Sequence, residues 1–349
     1  MKILIDISPT KSKSKTRGIG FYTEQLVSSL KRYDKINSYQ LFYENKKIFS
    51  KADIIHYPYF DFFKLTLPLI KKTKTIVTIH DAIPLIFPKK FPKGIRGLIK
   101  YKIQNLSLRF TNAVITDSHC SKKDIIKTLN FHPDKINIVY LAASEKFQKI
   151  KDQARLLAVR KKYHLPQQFI LYVGDANWNK NLLTLIKASL RIKFPLVLVG
   201  EPFISKKFDR THPENKPLIE IQQQIKNNQK IFALGFVNTD DLILIYNLAA
   251  VYCQPSFYEG FGLPILEAMS CGCPVVCSKT SSLPEVAGEA AEYCNPFSLN
   301  SVCKSIKKCL DNKNFSQKLV ELGENQAKKF SWKKTALETK KVYQEVLKD

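Results

Sequence analysis

Short runs of β-branched and aromatic residues alternate along this chain with longer stretches in which apolar positions recur every three or four residues. A short apolar run bounded by turn residues reads as a buried strand, and the three-to-four spacing reads as a helix with one buried face. In the first half the pattern predicts strands over 2–7, 38–44, 53–57, 75–80, 113–117 and 136–140. Helices are expected over about 19–33, 95–110 and 121–130. After Pro133 and the charged run that follows Leu141, the alternation starts again. A helix over 151–163 is stopped by Pro166, and strands follow at 169–173, 196–199, 231–234, 251–254 and 274–277, with helices between them. Strand and helix in strict alternation is the mark of βαβ units and parallel sheets. The expected fold class is therefore α/β, with two consecutive doubly wound sheets of Rossmann-like type.

Length supports two domains rather than one, since 349 residues exceed what a single hydrophobic core usually serves. The expected division is 1–165 and 166–330, joined near 142–168, with a last helix over 331–349 capped by Ser331 and packing back on the first domain. Ligands of open α/β sheets bind outside the carboxyl ends of the strands. Two such domains facing each other would form a cleft there. No apolar run approaches the ~18 residues of a membrane-spanning helix. The start, Met1 to Asp6, reads as a first buried strand and not as a signal peptide, which suits a cytoplasmic protein. Cys271, Cys273 and Cys277 lack a second Cys/His pair and read as reduced core residues, so no metal is expected.

Charge changes the picture of the first half. The formal net charge is +26. Residues 1–165 hold 33 Lys and Arg against 12 Asp and Glu, and residues 166–349 hold 23 against 18. An imbalance this one-sided suggests that the first domain faces something anionic. An anionic membrane surface, a phosphate-bearing substrate and nucleic acid all fit. The basic residues gather in Lys11–Arg17 (Lys11, Lys13, Lys15 and Arg17), Lys71–Lys74, Lys89–Lys100 and Lys122–Lys127.

The chemistry concentrates in residues 256–277. Gly260 and Gly262 permit close approach of backbone to a ligand and φ values closed to other residues. Pro264 suits the first turn of a helix, and Gly272 sits where that helix should stop. The unpaired amides at its start form an anion site suited to a diphosphate. Glu259 lies in the loop before the helix and Glu267 about one turn inside it, so both carboxylates can flank one ligand. Carboxylates do not bind phosphate, but as acceptor-only groups they suit the paired hydroxyls of a sugar and a ribose.

Taken together, these residues resemble glycosyltransferase family 4, the retaining enzymes of GT-B fold. Its Glu-x7-Glu signature is matched by Glu259 and Glu267, and the run through Gly260, Phe261, Gly262, Leu263 and Pro264 matches almost throughout. The resemblance implies that Glu259 contacts the transferred sugar and Glu267 the nucleotide ribose. A second matching segment runs from Tyr172 through Gly174 to Lys180 and Asn181, with a helix expected to begin near Lys180. The family usually has Arg-Lys-Asn here, the two cations holding the donor diphosphate; this chain has Asn179 in place of the Arg, leaving Lys180. Gly18 and Gly20 resemble the glycine-rich loop near donor phosphates and acceptor. His80 occupies the position of a histidine that meets the donor sugar, followed by Asp81. Asp117 and Ser118 to Ser121 resemble the family's Ser-x-x-Ser loop, which is either acceptor-side or structural, and Val237 falls where the family places the nucleobase. The likeness is dense between Leu171 and Tyr293 and patchy before residue 120.

What the resemblance implies is transfer of a mannose- or glucose-type hexose from a nucleotide-diphosphate sugar to a glycan or lipid-linked acceptor of the cell envelope, with retention. No cofactor is implied beyond the nucleotide sugar. No two aspartates are separated by a single residue, so a metal-binding Asp-x-Asp is lacking, and metal independence is expected. Two rival readings are weaker. A nucleic-acid-binding module would use the basic half but leave Glu259 and Glu267 idle. An epimerase or phosphorylase of the same fold would use a similar cleft, but no lysine stands in a pyridoxal-phosphate context.

Overall fold

The computed structural model describes residues 1–11, 18–43 and 51–348. They divide into two compact units, one of Met1–Pro88, Pro92–Ala142 and Phe330–Asp349, the other of Lys89–Phe91 and Ala143–Lys329. Among the described residues each unit is built on one six-stranded parallel sheet.

In the first unit the strands are β1 (Lys2–Asp6), β2 (Ser38–Phe42), β3 (Ile54–Tyr57), β4 (Lys74–Thr78), β5 (Ala113–Thr116) and β6 (Ile136–Ile138), ordered β2-β1-β3-β4-β5-β6. Helices Gly18–Tyr33, Gly94–Arg109 and His119–Leu129 connect them. Core packing runs through Val77, Ile79, Leu108, Val114 and Ile125. The C-terminal helix Trp332–Lys348 belongs to this unit. Thr335 Oγ1 donates to the Tyr140 carbonyl at 2.7 Å, and Lys340 pairs with Asp34 at 3.1 Å.

The second unit holds β7 (Ile170–Val173), β8 (Leu196–Val199), β9 (Ile231–Gly235), β10 (Val251–Gln254), β11 (Val275–Ser278) and β12 (Ala291–Cys294), ordered β12-β11-β10-β7-β8-β9. Every residue of β8, β10 and β11 is buried, as expected for parallel strands covered on both faces. All eight cysteines are free thiols, and Cys271, Cys273 and Cys277 are buried.

The boundary differs from the sequence expectation. Residues 143–165 group with the second unit, because the helix Gln153–Lys162 is tied there. Lys162 Nζ and Tyr163 Oη both donate to Asp241 Oδ2, at 2.6 and 2.8 Å, and Ile150 N donates to Asn247 Oδ1 at 2.7 Å. Strand β12 was not foreseen; its four residues, with Glu292 and Tyr293 half-buried between Ala291 and Cys294, form no apolar run that stands out.

Candidate functional site

In the second unit the site begins where β10 ends. Gln254 closes the strand, and Pro255 and Ser256 lead into the loop that carries Glu259. That loop runs into the helix Leu263–Ser270 through Gly262, which has φ of 104°. A side chain there would be strained, and its Cβ would lie 2.6 Å from Leu283 Cδ2. Pro264 occupies the first turn, and Gly272, with φ of 68°, follows the helix end.

Glu259 is buried, and its carboxylate is fully engaged. Oε1 accepts from Ser256 Oγ at 2.6 Å, Gln254 Nε2 at 2.9 Å and Lys180 Nζ at 2.9 Å, and Oε2 accepts from Lys180 Nζ at 2.7 Å. The backbone is clamped as well. Glu259 N donates to Ser281 Oγ, and Ser282 Oγ donates to the carbonyls of Glu259 and Phe261. A buried carboxylate costs several kcal/mol unless it is paired, so this degree of engagement fixes its position. The sequence reading missed Gln254, Ser256, Ser281 and Ser282. Their only linear signal is a cluster of polar residues just after two apolar strands.

Lys180 does not open an α-helix. It ends a single 3-10 turn, Trp178–Lys180, and Asn181, with φ of 54°, separates that turn from the helix Leu182–Arg191. Asn181 Nδ2 donates to the carbonyls of Pro255 and Pro296, which locks this left-handed residue. Asn179, at the position where the family usually has Arg, is buried; its Nδ2 donates to the Tyr258 carbonyl at 2.9 Å, and its own carbonyl accepts from Phe257 N at 2.7 Å. A neutral amide there laces the Lys180 loop to the Glu259 loop. Trp178 stacks on Phe257, and Phe257 on Phe297, with centroids 5.1 and 5.0 Å apart.

Glu267 is half-buried inside the helix and accepts from Tyr246 Oη at 2.9 Å. Burial raises its carboxyl to about 7, which the Tyr246 hydrogen bond only partly offsets. Glu267 is therefore not the plainly ionised acceptor the sequence suggested. Tyr246 belongs to the helix Thr239–Leu248, capped by Asn238 directly after the buried Val237. Gly174, with φ of 146°, lies just past β7, and Gly260 and Leu263 are half-buried.

The raised carboxyl sets a sign for stability. Between pH 4.5 and about 7 the native state holds a proton that the unfolded state has released, so stability conferred by neutral Glu267 is complete below 4.5 and lost as pH rises through about 7. Chemical denaturation of Glu267→Gln should run nearly parallel to wild type at acid pH. By about pH 8 the variant should be more stable by about 1–3 kcal/mol. A constant difference across that range would mean that Glu267 titrates normally.

The first unit carries its own polar group at the strand ends. His80 Nδ1 and Asp117 Oδ2 are 2.7 Å apart, and Tyr22 meets the imidazole edge-on at 4.6 Å. Burial opposes a charge on His80, but the carboxylates of Asp117 and Asp81 outweigh it and raise its pKa. His80 Nε2 and Asp117 Oδ1 are buried without a hydrogen-bond partner among the described residues. Ser121 Oγ donates to the His80 carbonyl, while Ser118 Oγ accepts from Ser121 N as the helix cap. Asp81 accepts from Ile83 N at 2.9 Å. Behind them His56 bridges Thr78 and Tyr343 at 2.9 and 2.7 Å, a link the sequence did not reveal. Burial holds the His56 imidazole down to about 3, so it is neutral. Gly18 and Gly20 open the helix Gly18–Tyr33, and a Cβ on Gly18 would meet nothing within 4 Å among the described residues. Lys11 is exposed; Lys13, Lys15 and Arg17 lie outside the described residues.

The chain is similar to known proteins. The family profile described as Glycosyl transferases group 1 matches residues 157–328, and that described as Glycosyltransferase Family 4 matches residues 10–144. The O-antigen chain mannosyltransferase B of Escherichia coli is 32% identical over 345 residues, covering 95% of this chain and 85% of that protein. The serotype-specific mannosyltransferase WbdA of Escherichia coli is 30% identical over 274 residues, which is 75% of this chain and 32% of that longer protein. Among solved structures, sucrose-phosphate synthase from Thermosynechococcus elongatus matches with a TM-score of 0.78 at 18% identity, over 99% of this chain and 98% of its own. WaaG, a glycosyltransferase involved in lipopolysaccharide biosynthesis, matches with a TM-score of 0.67 at 14% identity, over 98% of both chains. Those two likenesses concern the fold, which is that of the GT-B enzymes. The sequence relationship carries the rest, and the chain belongs to glycosyltransferase family 4.

Proposed function

We propose that this glycosyltransferase moves mannose from a nucleotide-diphosphate donor to the growing end of a cell-envelope polysaccharide, with retention and without a metal ion. The observation that carries the site is the Glu259 carboxylate, held by Ser256, Gln254 and Lys180 beside a helix start. Mannose is favoured because the relatives at 30% identity or more over most of this chain are named mannosyltransferases. In this reading Glu259 accepts from hydroxyls of the transferred sugar and Glu267 from the ribose. Lys180 and the amides that open the helix Leu263–Ser270 offset the diphosphate charge. Gly174, Gly260, Phe261, Gly262 and Leu263 shape the donor site, and Val237 borders the nucleobase.

Transfer breaks the bond between the anomeric carbon and the phosphate oxygen and forms one to the acceptor oxygen on the same face. The acceptor's proton goes to the departing phosphate, so Glu259 need not act as a base. Gly18 and Gly20 serve the donor phosphates, and His80 Nε2 meets the donor sugar. Asp81 and Ser118 stand on the acceptor side, with Ser118 acting through the cap it forms. No cofactor is involved beyond the nucleotide sugar. No described helix is long and apolar enough to cross a membrane. We place the enzyme in the cytoplasm, attracted through its basic residues to the anionic inner face of the membrane, where a lipid-linked acceptor would reside.

The direct test is thermal stabilisation by a panel of nucleotide sugars, because a ligand that binds only the folded state raises its stability by mass action. GDP-mannose should raise the melting temperature more than UDP-glucose, and transfer to acceptor should follow the same order. A larger shift with UDP-hexoses, or epimerisation of the donor without acceptor, would overturn the mannosyl reading.

A further inference from the structure

Strand β10 reads Val251-Tyr252-Cys253-Gln254, and all four residues are buried. Tyr252 and Gln254, two apart, project from the same face of the sheet. Tyr252 Oη donates to Gln254 Oε1 at 2.7 Å, and Gln254 Nε2 donates to Glu259 Oε1 at 2.9 Å. The direction of this relay is fixed by what each end can do. A carboxylate oxygen only accepts, so the amide must turn its NH2 group to Glu259 and its carbonyl oxygen to Tyr252. Burial raises the Tyr252 phenol well above its usual range, so it keeps its proton and donates. Glutamine can accept at one atom while donating at the other; leucine can do neither, and an ionised glutamate cannot donate.

A buried polar pair is costly unless every atom is matched, and an apolar pair of the same shape would serve the sheet as well. The position of this pair against Glu259 gives it a use. Lys180 donates to both carboxylate oxygens, whereas Gln254 and Ser256 donate to Oε1 alone. Lys180 is partly exposed on a flexible stem, while Gln254 and Ser256 are fully buried at the strand end. In the proposed reaction the Lys180 ammonium is shared with the departing diphosphate, which loosens its hold on the carboxylate. Gln254 and Ser256 then keep Oε1 in place and leave Oε2 to the sugar hydroxyls.

We infer that Gln254 is a positioning residue for the transfer, its amide held by Tyr252 so that it anchors Glu259 while Lys180 turns to the diphosphate. The inference rests on the assignment of Glu259 to the transferred sugar, and the two residues it adds act through Glu259 without touching substrate.

Turnover of the full-length enzyme is read as GDP release from GDP-mannose with a hydrophobic-tailed α-mannoside as acceptor. Gln254→Leu should lower kcat about ten- to hundredfold and leave KM for GDP-mannose within about threefold. Tyr252→Phe leaves the amide oxygen without its donor and should lower both kcat and the melting temperature. The double variant Tyr252→Phe/Gln254→Leu removes both polar groups, so its melting temperature should return most of the way to wild type. Its kcat should stay as low as that of Gln254→Leu, which a purely structural role would not produce. Added to Glu259→Gln, Gln254→Leu should cost no more than about twofold further, because it acts through the carboxylate. Recovery of kcat together with the melting temperature in the double variant would overturn the inference. So would a full, multiplying loss in the combination with Glu259→Gln. Near-normal turnover of Gln254→Leu beside an impaired Glu259→Gln would overturn positioning and spare the assignment of Glu259. Near-normal turnover of Glu259→Gln would sink that assignment and the inference with it.

Discussion

Replacing Glu259 by Gln is expected to lower turnover by about 30-fold to several hundred-fold while leaving nucleotide-sugar affinity within about threefold. The substitution keeps the shape of the side chain but removes its charge, and three groups depend on that charge. Ser256 and Gln254 donate to Oε1, and Lys180 donates to both oxygens. The amide oxygen of Gln can keep some of these bonds, so the loop should hold its course, which the clamps from Ser281 and Ser282 also secure. What disappears is an ionised acceptor for hydroxyls on a sugar ring that becomes electron-poor as its phosphate departs. Such an interaction strengthens in the transition state, so its loss falls on kcat and not on binding. Destabilisation should be modest, because Lys180 is 22% exposed and keeps part of its hydration. Steady-state rates, donor titration by calorimetry and a thermal melt together make the test. Wild-type turnover with an intact melt would remove Glu259 from the site.

Local backbone chemistry was legible in the chain. Gly262, Pro264 and Gly272 each fix a conformation that few other residues tolerate, and the helix Leu263–Ser270 lies between them as expected. Most strands of both sheets were plain as well, because parallel strands buried on two faces leave continuous apolar runs, whereas β12 was not foreseen. Contacts distant in sequence were not legible. Nothing near Glu259 in the chain announces Lys180, 79 residues earlier, as its partner. Nor does anything near His56 announce Tyr343, 287 residues later. The left-handed turn at Asn181 was missed for a related reason: asparagine tolerates that conformation, and the carbonyls of Pro255 and Pro296 select it only once the fold has formed.

The departure at Asn179 removes a positive charge, and the structure adds what the sequence did not reveal: the buried amide ties two loops together. A helix was expected over about 95–110, but which of its faces stays outside was not legible; in the structure Ile95, Ile99 and Leu106 remain exposed.

Lys180 carries the other large expectation, together with the treatment of charge in the leaving group. A departing nucleoside diphosphate accumulates negative charge that some positive group must meet. Here Lys180, on the neighbouring loop, brings its ammonium within 2.7 Å of the Glu259 carboxylate. Lysine has three N–H donors on a flexible stem, so binding of the donor can redistribute them between carboxylate and phosphate. Asn179 offers no second charge, and its side chain is committed to Tyr258. Lys180→Ala should therefore reduce kcat/KM by about a hundredfold to a thousandfold, beyond what one neutral hydrogen bond supplies. Combining it with Glu259→Gln should cost far less than the product of the two losses, since the pair acts as one unit. Wild-type activity should persist in excess EDTA. Activity that chelation abolishes and magnesium or manganese restores, alongside a nearly normal Lys180→Ala enzyme, would transfer charge compensation from the lysine to a metal ion and leave Lys180 as a positioning residue for Glu259.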